Sequence, residues 1–166
     1  PKNAELLWTY IDVDSIPYNK GFFTVDVKYF YKITCDVFFG VGRPTEICGL
    51  ASFDKRTVLF GSEGSVRIFS SQYEPCGNEL QSYERSNLPI AVVEVVDPVI
   101  LGAKMVDRGE DCGCGCAVSD VPDSINSFFN DDIIMNDEGK KLFVTLGQFS
   151  IIRLERDIQL LMPAYD

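Results

Sequence analysis

Between Asp111 and Cys116 the chain reads DCGCGC, three thiols each separated from the next by one glycine. Sulfurs placed this way suit three chemistries: metal–thiolate ligation, thiol redox exchange and covalent cross-linking. Structural zinc sites usually pair their thiolates as two Cys-x2-Cys units and often add histidine. This run needs a fourth ligand from elsewhere, and the chain contains no histidine. A redox centre favours Cys-x-x-Cys at a helix amino end, with a depressed thiol pKa. Here no helix start is signalled, and Asp107, Glu110 and Asp111 would raise a thiol pKa. Cross-linking fits best. Sulfurs this close bridge one another only in strained geometry, so Cys112, Cys114 and Cys116 are expected to seek distant partners, within the chain or in neighbouring subunits. Gly113 and Gly115 let the loop reach. Each closed bridge would contribute roughly 2 to 4 kcal/mol by restricting the unfolded state. A chain able to fold without such staples gains mainly durability, or links between chains.

Cys48 and Cys76 stand beside glycines in turn-like segments and complete the set of cross-link candidates. Cys35 falls on an apolar strand face, where a free thiol behaves as a small hydrophobe. Without histidine, Ser-His-Asp and Cys-His catalysis are excluded within one chain. No dinucleotide-binding, Walker-type or GxSxG motif appears, and FGVGRP, from Phe39 to Pro44, reads as a turn. NDD (Asn130 to Asp132) lacks the alternating spacing of a calcium loop, and NDEG (Asn136 to Gly139) reads as a tight turn. Twenty-five acidic residues will place some carboxylate pairs near one another by chance, which does not make them catalytic. No catalytic, metal-binding or cofactor-binding residue emerges, and no cofactor is expected.

These side chains must be positioned by a packed chain. With 166 residues, 46% hydrophobic and 24% charged, the composition is that of one globular domain burying about two-thirds of its unfolded surface. The expectation is a single β-sandwich domain, 1–166, carrying a cysteine-glycine loop at about 107–122. A net charge of −10 repels phosphate backbones and anionic lipid, so nucleic acid is not an expected partner. The richest apolar stretch, Ile90 to Val106, is interrupted by Glu94, Asp97, Pro98 and Lys104 and falls short of a membrane span. The chain opens at Pro1 without a basic-then-apolar secretion signal and stops at MPAYD without a polar tail, which leaves the export route and further residues open.

The strongest periodicity runs from Phe23 to Phe39. Phe23, Val25, Val27, Tyr29, Tyr31, Ile33, Cys35, Val37 and Phe39 alternate with a mostly polar set, which a helix cannot present as one face. A single strand of that length would span roughly 56 Å, so a bend or bulge dividing it between two sheets is expected. Its odd-numbered face should point to the core. Phe30 and Phe38 break the polar face, and either meet a second packed layer or form an exposed patch able to stack on a ligand. Thr57 to Phe60 and Ser65 to Ser70 flank GSEG, Gly61 to Gly64, as a hairpin. Further strands are expected at Leu6 to Val13, Ile90 to Val96, Val99 to Val106 and Leu142 to Phe149. Asp97-Pro98 marks a turn or sheet crossover. Ser150 to Met162 satisfies both a strand and a helix pattern, and strand is preferred in this β-rich context. A short helix is expected over Asp123 to Ile133, capped by Asp123 or Ser124, with Ile125, Phe128 and Phe129 making one apolar stripe. Loops fall at Gly40 to Pro44, Gln72 to Asn87 and Asp107 to Pro122. The pattern predicts an all-β fold, an antiparallel β-sandwich or jelly roll with at most one or two short helices and a closed barrel as the alternative.

Two stretches, YKITCDVFFGVGRPTEICGLASFDKRTVLFGSEGSVRIFSS (Tyr31 to Ser71) and VTLGQFSIIRLERDIQLLMPAYD (Val144 to Asp166), resemble segments of uncharacterised cysteine-containing proteins of anaerobic, endospore-forming bacteria. Through β content and cysteines, without a shared motif, the chain is also loosely similar to the disulfide-linked jelly-roll subunits of endospore appendages, which build fibres by strand augmentation and covalent bridging. It lacks the amino-terminal paired-cysteine arm of those subunits. The resemblance implies a non-enzymatic structural protein that assembles with copies of itself at a cell or spore surface, outside the cell. The alternatives are a sandwich that binds carbohydrate or another small ligand, with Phe30 and Phe38 as stacking residues, and a protein with a thiolate metal site.

Overall fold

The computed structural model describes residues 1–38, 40, 42–62, 68–69, 83–85, 88–107, 121–129, 133, 140–156 and 162–163. Among them the chain forms β1 (Asn3–Ser15), β2 (Phe22–Val37), β3 (Thr45–Phe60), β4 (Ile68–Phe69), β5 (Tyr83–Arg85), β6 (Ile90–Val95), β7 (Val99–Asp107), α1 (Asp123–Asn126), β8 (Lys140–Gly147) and β9 (Ser150–Glu155). β1, β2 and β3 make one sheet in that order, while β4 pairs β5, β6 pairs β9 and β7 pairs β8. The fold is all-β and antiparallel.

β2 shows why. Phe23, Val25, Val27, Tyr29, Tyr31, Ile33 and Cys35 are all buried, so the odd-numbered face is the core face that the alternation predicts. Each such side chain, fully removed from water, contributes about 1.5–3 kcal/mol. β3 lies antiparallel beside it. Thr34 meets Cys48 and Lys28 meets Asp54, so numbers rise in one strand as they fall in the other, and even-numbered residues share a face.

The chain divides into two compact units. The first comprises Pro1–Tyr10, Val27–Lys55 and Glu94–Ile151. On its core face the Tyr29 hydroxyl donates to Ser150 Oγ at 3.3 Å and the Tyr31 hydroxyl to Gln148 Oε1 at 2.5 Å. On the opposite face α1 and the turn after it sit over the sheet. Tyr10 and Ser124 share a hydroxyl–hydroxyl bond of 2.8 Å, Lys32 Nζ donates to the Phe128 carbonyl at 3.2 Å, and the same ammonium lies 5.2 Å from the Phe129 ring centroid. Ile125 is fully buried. β7 and β8 pair from Asp107↔Lys140 to Val99↔Gly147, with a bulge between Ile100 and Gly102.

The second unit comprises Ile11–Asp26, Arg56–Val93 and Ile152–Asp166. The β1–β2 reversal closes through Asn19 N to Ile16 O and Phe22 N to Asn19 O, both 3.2 Å, with Gly21 supplying a φ of 81°. Gly61 donates to the Gly21 carbonyl at 2.8 Å and accepts from Arg156 Nε at 2.7 Å. A Cβ at Gly61 would stand 2.9 Å from both Leu154 Cδ1 and Phe23 Cδ2, so a side chain there would force one or both of them to move.

Several expectations are corrected. β2 runs unbroken for 16 residues and stays in one sheet, so the anticipated division between two sheets does not occur. β3 begins at Thr45, twelve residues before the expected Thr57, because pairing with β2 extends a segment whose own pattern is weak. β4 pairs β5, which lies inside the expected Gln72 to Asn87 loop, and Ser62 carries a φ of 67° just after Gly61. β8 ends at Gly147, leaving Phe149 exposed in the turn before β9. The strand reading of Ser150 onward holds as far as Glu155. α1 is four residues long, and its amino end at Pro122 has no side-chain cap. Asp97 and Pro98 separate β6 from β7, and those strands enter different sheets, as a crossover requires.

Candidate functional site

Two surfaces gather chemistry-bearing residues. The first is β3, the outer strand of its sheet, which among the described residues pairs only with β2. Ile47, Phe53, Val58 and Phe60 are large apolar side chains exposed along it. Cys48 lies on the same strand as an exposed free thiol, 3.8 Å from Thr34 Oγ1. Cys35 is a buried free thiol, as its place in the alternation predicts. Cys76, Cys112, Cys114 and Cys116 lie outside the described residues, as do NDD (130–132) and NDEG (136–139). The structure therefore shows one of the five cross-link candidates, and shows it accessible. Of the FGVGRP turn, Gly40 carries a φ of 75°.

The second surface is the even-numbered face of the first unit. Trp8 is 51% exposed, and Tyr10, its neighbour across one residue, is 38% exposed. Their ring centroids are 6.4 Å apart and tilted by 57°. Tyr10 meets Phe30 edge-on at 5.8 Å, and Phe30 is wholly buried. Lys28 Nζ lies 5.7 Å from the Phe30 centroid and 4.0 Å from Asp54 Oδ1. Phe38 is 67% exposed. The two aromatics that break the polar face of β2 thus part company: Phe30 packs under a second layer and cannot stack on a ligand, whereas Phe38 stands in solvent. The alternation of β2 could not reveal Trp8 and Tyr10, which lie on the neighbouring strand. Trp8 as the single tryptophan was the available signal.

Electrostatics reinforce the sheet surface. Arg56 grips Asp26 through two bonds of 2.6 and 2.7 Å, which holds the Asp26 carboxyl below its ordinary pKa and raises that of the guanidinium. The Lys2 ammonium is raised by its bond to Glu46. On the core face, burial pushes the Tyr31 phenol up to about 12, with the neighbouring Tyr29 adding to the effect and the Gln148 bond opposing it. Among the described residues no three Cys, Asp or Glu side chains converge closely enough to hold a metal ion, and no helix is long and apolar enough to cross a membrane.

No family model matches the chain, and neither a curated protein nor a solved structure does.

Proposed function

We propose that the protein is a non-enzymatic structural subunit whose antiparallel sheets close into a sandwich or jelly roll, and which assembles with copies of itself at a cell or spore surface. Assembly proceeds through exposed strand edges. Cys48, Cys76, Cys112, Cys114 and Cys116 then lock neighbouring chains. One observation carries the reading: among the described residues β3 is a 16-residue outer strand, on which Ile47 and Phe53 are about half-exposed and Cys48 is an exposed free thiol. Such an edge offers unpaired backbone donors and acceptors to another strand, and proteins that remain monomeric usually shorten, bend or cover it. The resemblance to cysteine-containing proteins of endospore formers supports the location.

Locking converts two thiols to a disulfide, releasing two protons and passing two electrons to dioxygen or to a small-molecule disulfide. Electron microscopy and light scattering of air-exposed protein should show large particles, and dithiothreitol should reduce their size or strength. Ile47→Lys, on the exposed β3 edge, should shift the population toward smaller species. A monomer with all six thiols free after air exposure defeats the reading.

A further inference from the structure

We propose that Trp8 and Tyr10 form the binding platform for a neutral oligosaccharide, a role that goes beyond assembly and does not depend on it. An aromatic side chain offers 150–250 Å² for a ligand to cover, and Trp8 presents about half of its surface to solvent. Its neighbour Tyr10 is held in place. Tyr10 flanks Trp8 at 6.4 Å, the buried Phe30 ring supports Tyr10 edge-on from beneath, and Ser124 fixes the Tyr10 hydroxyl at 2.8 Å. A platform fixed before the ligand arrives has little ordering cost left when binding occurs. The 57° tilt makes Tyr10 a wall beside the indole, not a continuation of it, so one ring stacks on Trp8 and the chain beyond it must turn.

The neighbouring charges select the ligand class. An aromatic pair by itself would also suit a quaternary ammonium ion. Lys28 holds an ammonium 5.7 Å from the Phe30 centroid, beside Tyr10, and so repels a second cation. Asp54, 4.0 Å from that ammonium, together with the chain's charge of −10, disfavours an anion. The remaining fit is a neutral ring with an apolar C–H face and a rim of hydroxyls. A pyranose meets that description: its face stacks on the indole, and the donor and acceptor that Lys28 and Asp54 offer on the same face suit a hydroxylated rim.

Trp8 is the only tryptophan, so its fluorescence reports the platform directly in the full-length protein. Titration with cellobiose, chitobiose, maltose, lactose and mannobiose should give a saturable emission change with at least one of them. Calorimetry should then show Trp8→Ala weakening that binding roughly tenfold or more, with Trp8→Phe intermediate. Lys28→Met should weaken it severalfold while leaving the fold intact by circular dichroism. Silence across the panel overturns the proposal, as does calorimetric binding that Trp8→Ala leaves unchanged. Preference for choline or a sulfated disaccharide overturns the ligand class. An emission change that follows protein concentration and ignores sugar puts a second copy on the platform, and the proposal fails.

Discussion

Tyr31 shows how one hydroxyl ties a core strand to its covering layer. Its bond to Gln148 joins β2 to the turn between β8 and β9, and burial keeps the phenol protonated well past the ordinary value of 10.0. The sign of the linkage follows. The folded state binds this proton more tightly than the unfolded chain does, so the stabilisation is fully present below pH 10 and is lost as pH rises toward about 12. Urea denaturation at pH 7 should find Tyr31→Phe less stable by about 1 kcal/mol, the worth of a typical hydrogen bond. Between pH 10 and 12 the wild type should lose stability faster than Tyr31→Phe, so the gap between them narrows. Cys35 and Cys48 make the complementary point. Strand alternation placed the first in the core, where it is; the glycine beside the second suggested an accessible turn, and the structure leaves Cys48 exposed but within β3 instead of a turn.

At the scale of elements, β2 carried nearly all the legible information because one residue in two along it is apolar, and the structure buries those residues. β3 carried little. The stretch Thr45 to Arg56 has no alternation and takes its extended form from pairing with β2, a long-range interaction that local patterning does not encode. α1 failed differently: of its expected apolar stripe only Ile125 is buried while Phe128 is exposed, only four residues are helical, and Ser124 is engaged by Tyr10 instead of capping. Phe30 and Phe38 share a parity on β2 and its continuation, and only what lies above each separates them. Phe30→Ala should cost about 3–5 kcal/mol, because it opens a cavity between sheet and covering layer. Phe38→Ala, at an exposed position, should stay within about 0.5 kcal/mol. Paired thermal and urea melts of the two variants check this, and equal effects would contradict the burial difference.

For the whole molecule, charge opposes association. A chain carrying −10 repels its copies over a distance set by the Debye length, about 10 Å at 0.1 M salt and about 30 Å at 0.01 M. If apolar strand edges drive assembly, raising salt from about 10 to about 300 mM should therefore increase particle size under reducing conditions, where no disulfide contributes. Light scattering that is flat or falls with salt would point to ion pairs as the cohesive force instead. By itself the amino-acid sequence determined the class of fold, the buried face of the longest alternating strand and the absence of histidine-based catalysis within the chain. These follow from composition and period-two patterning, which act through nearest neighbours along the chain. Tertiary structure alone decided that β3 is an outer strand, that Phe30 is covered while Phe38 is not, and that Trp8, Tyr10, Lys28 and Asp54 share one face. Those outcomes depend on which distant segments meet, and a side chain's exposure is a property of the layer above it, not of its own position in a pattern.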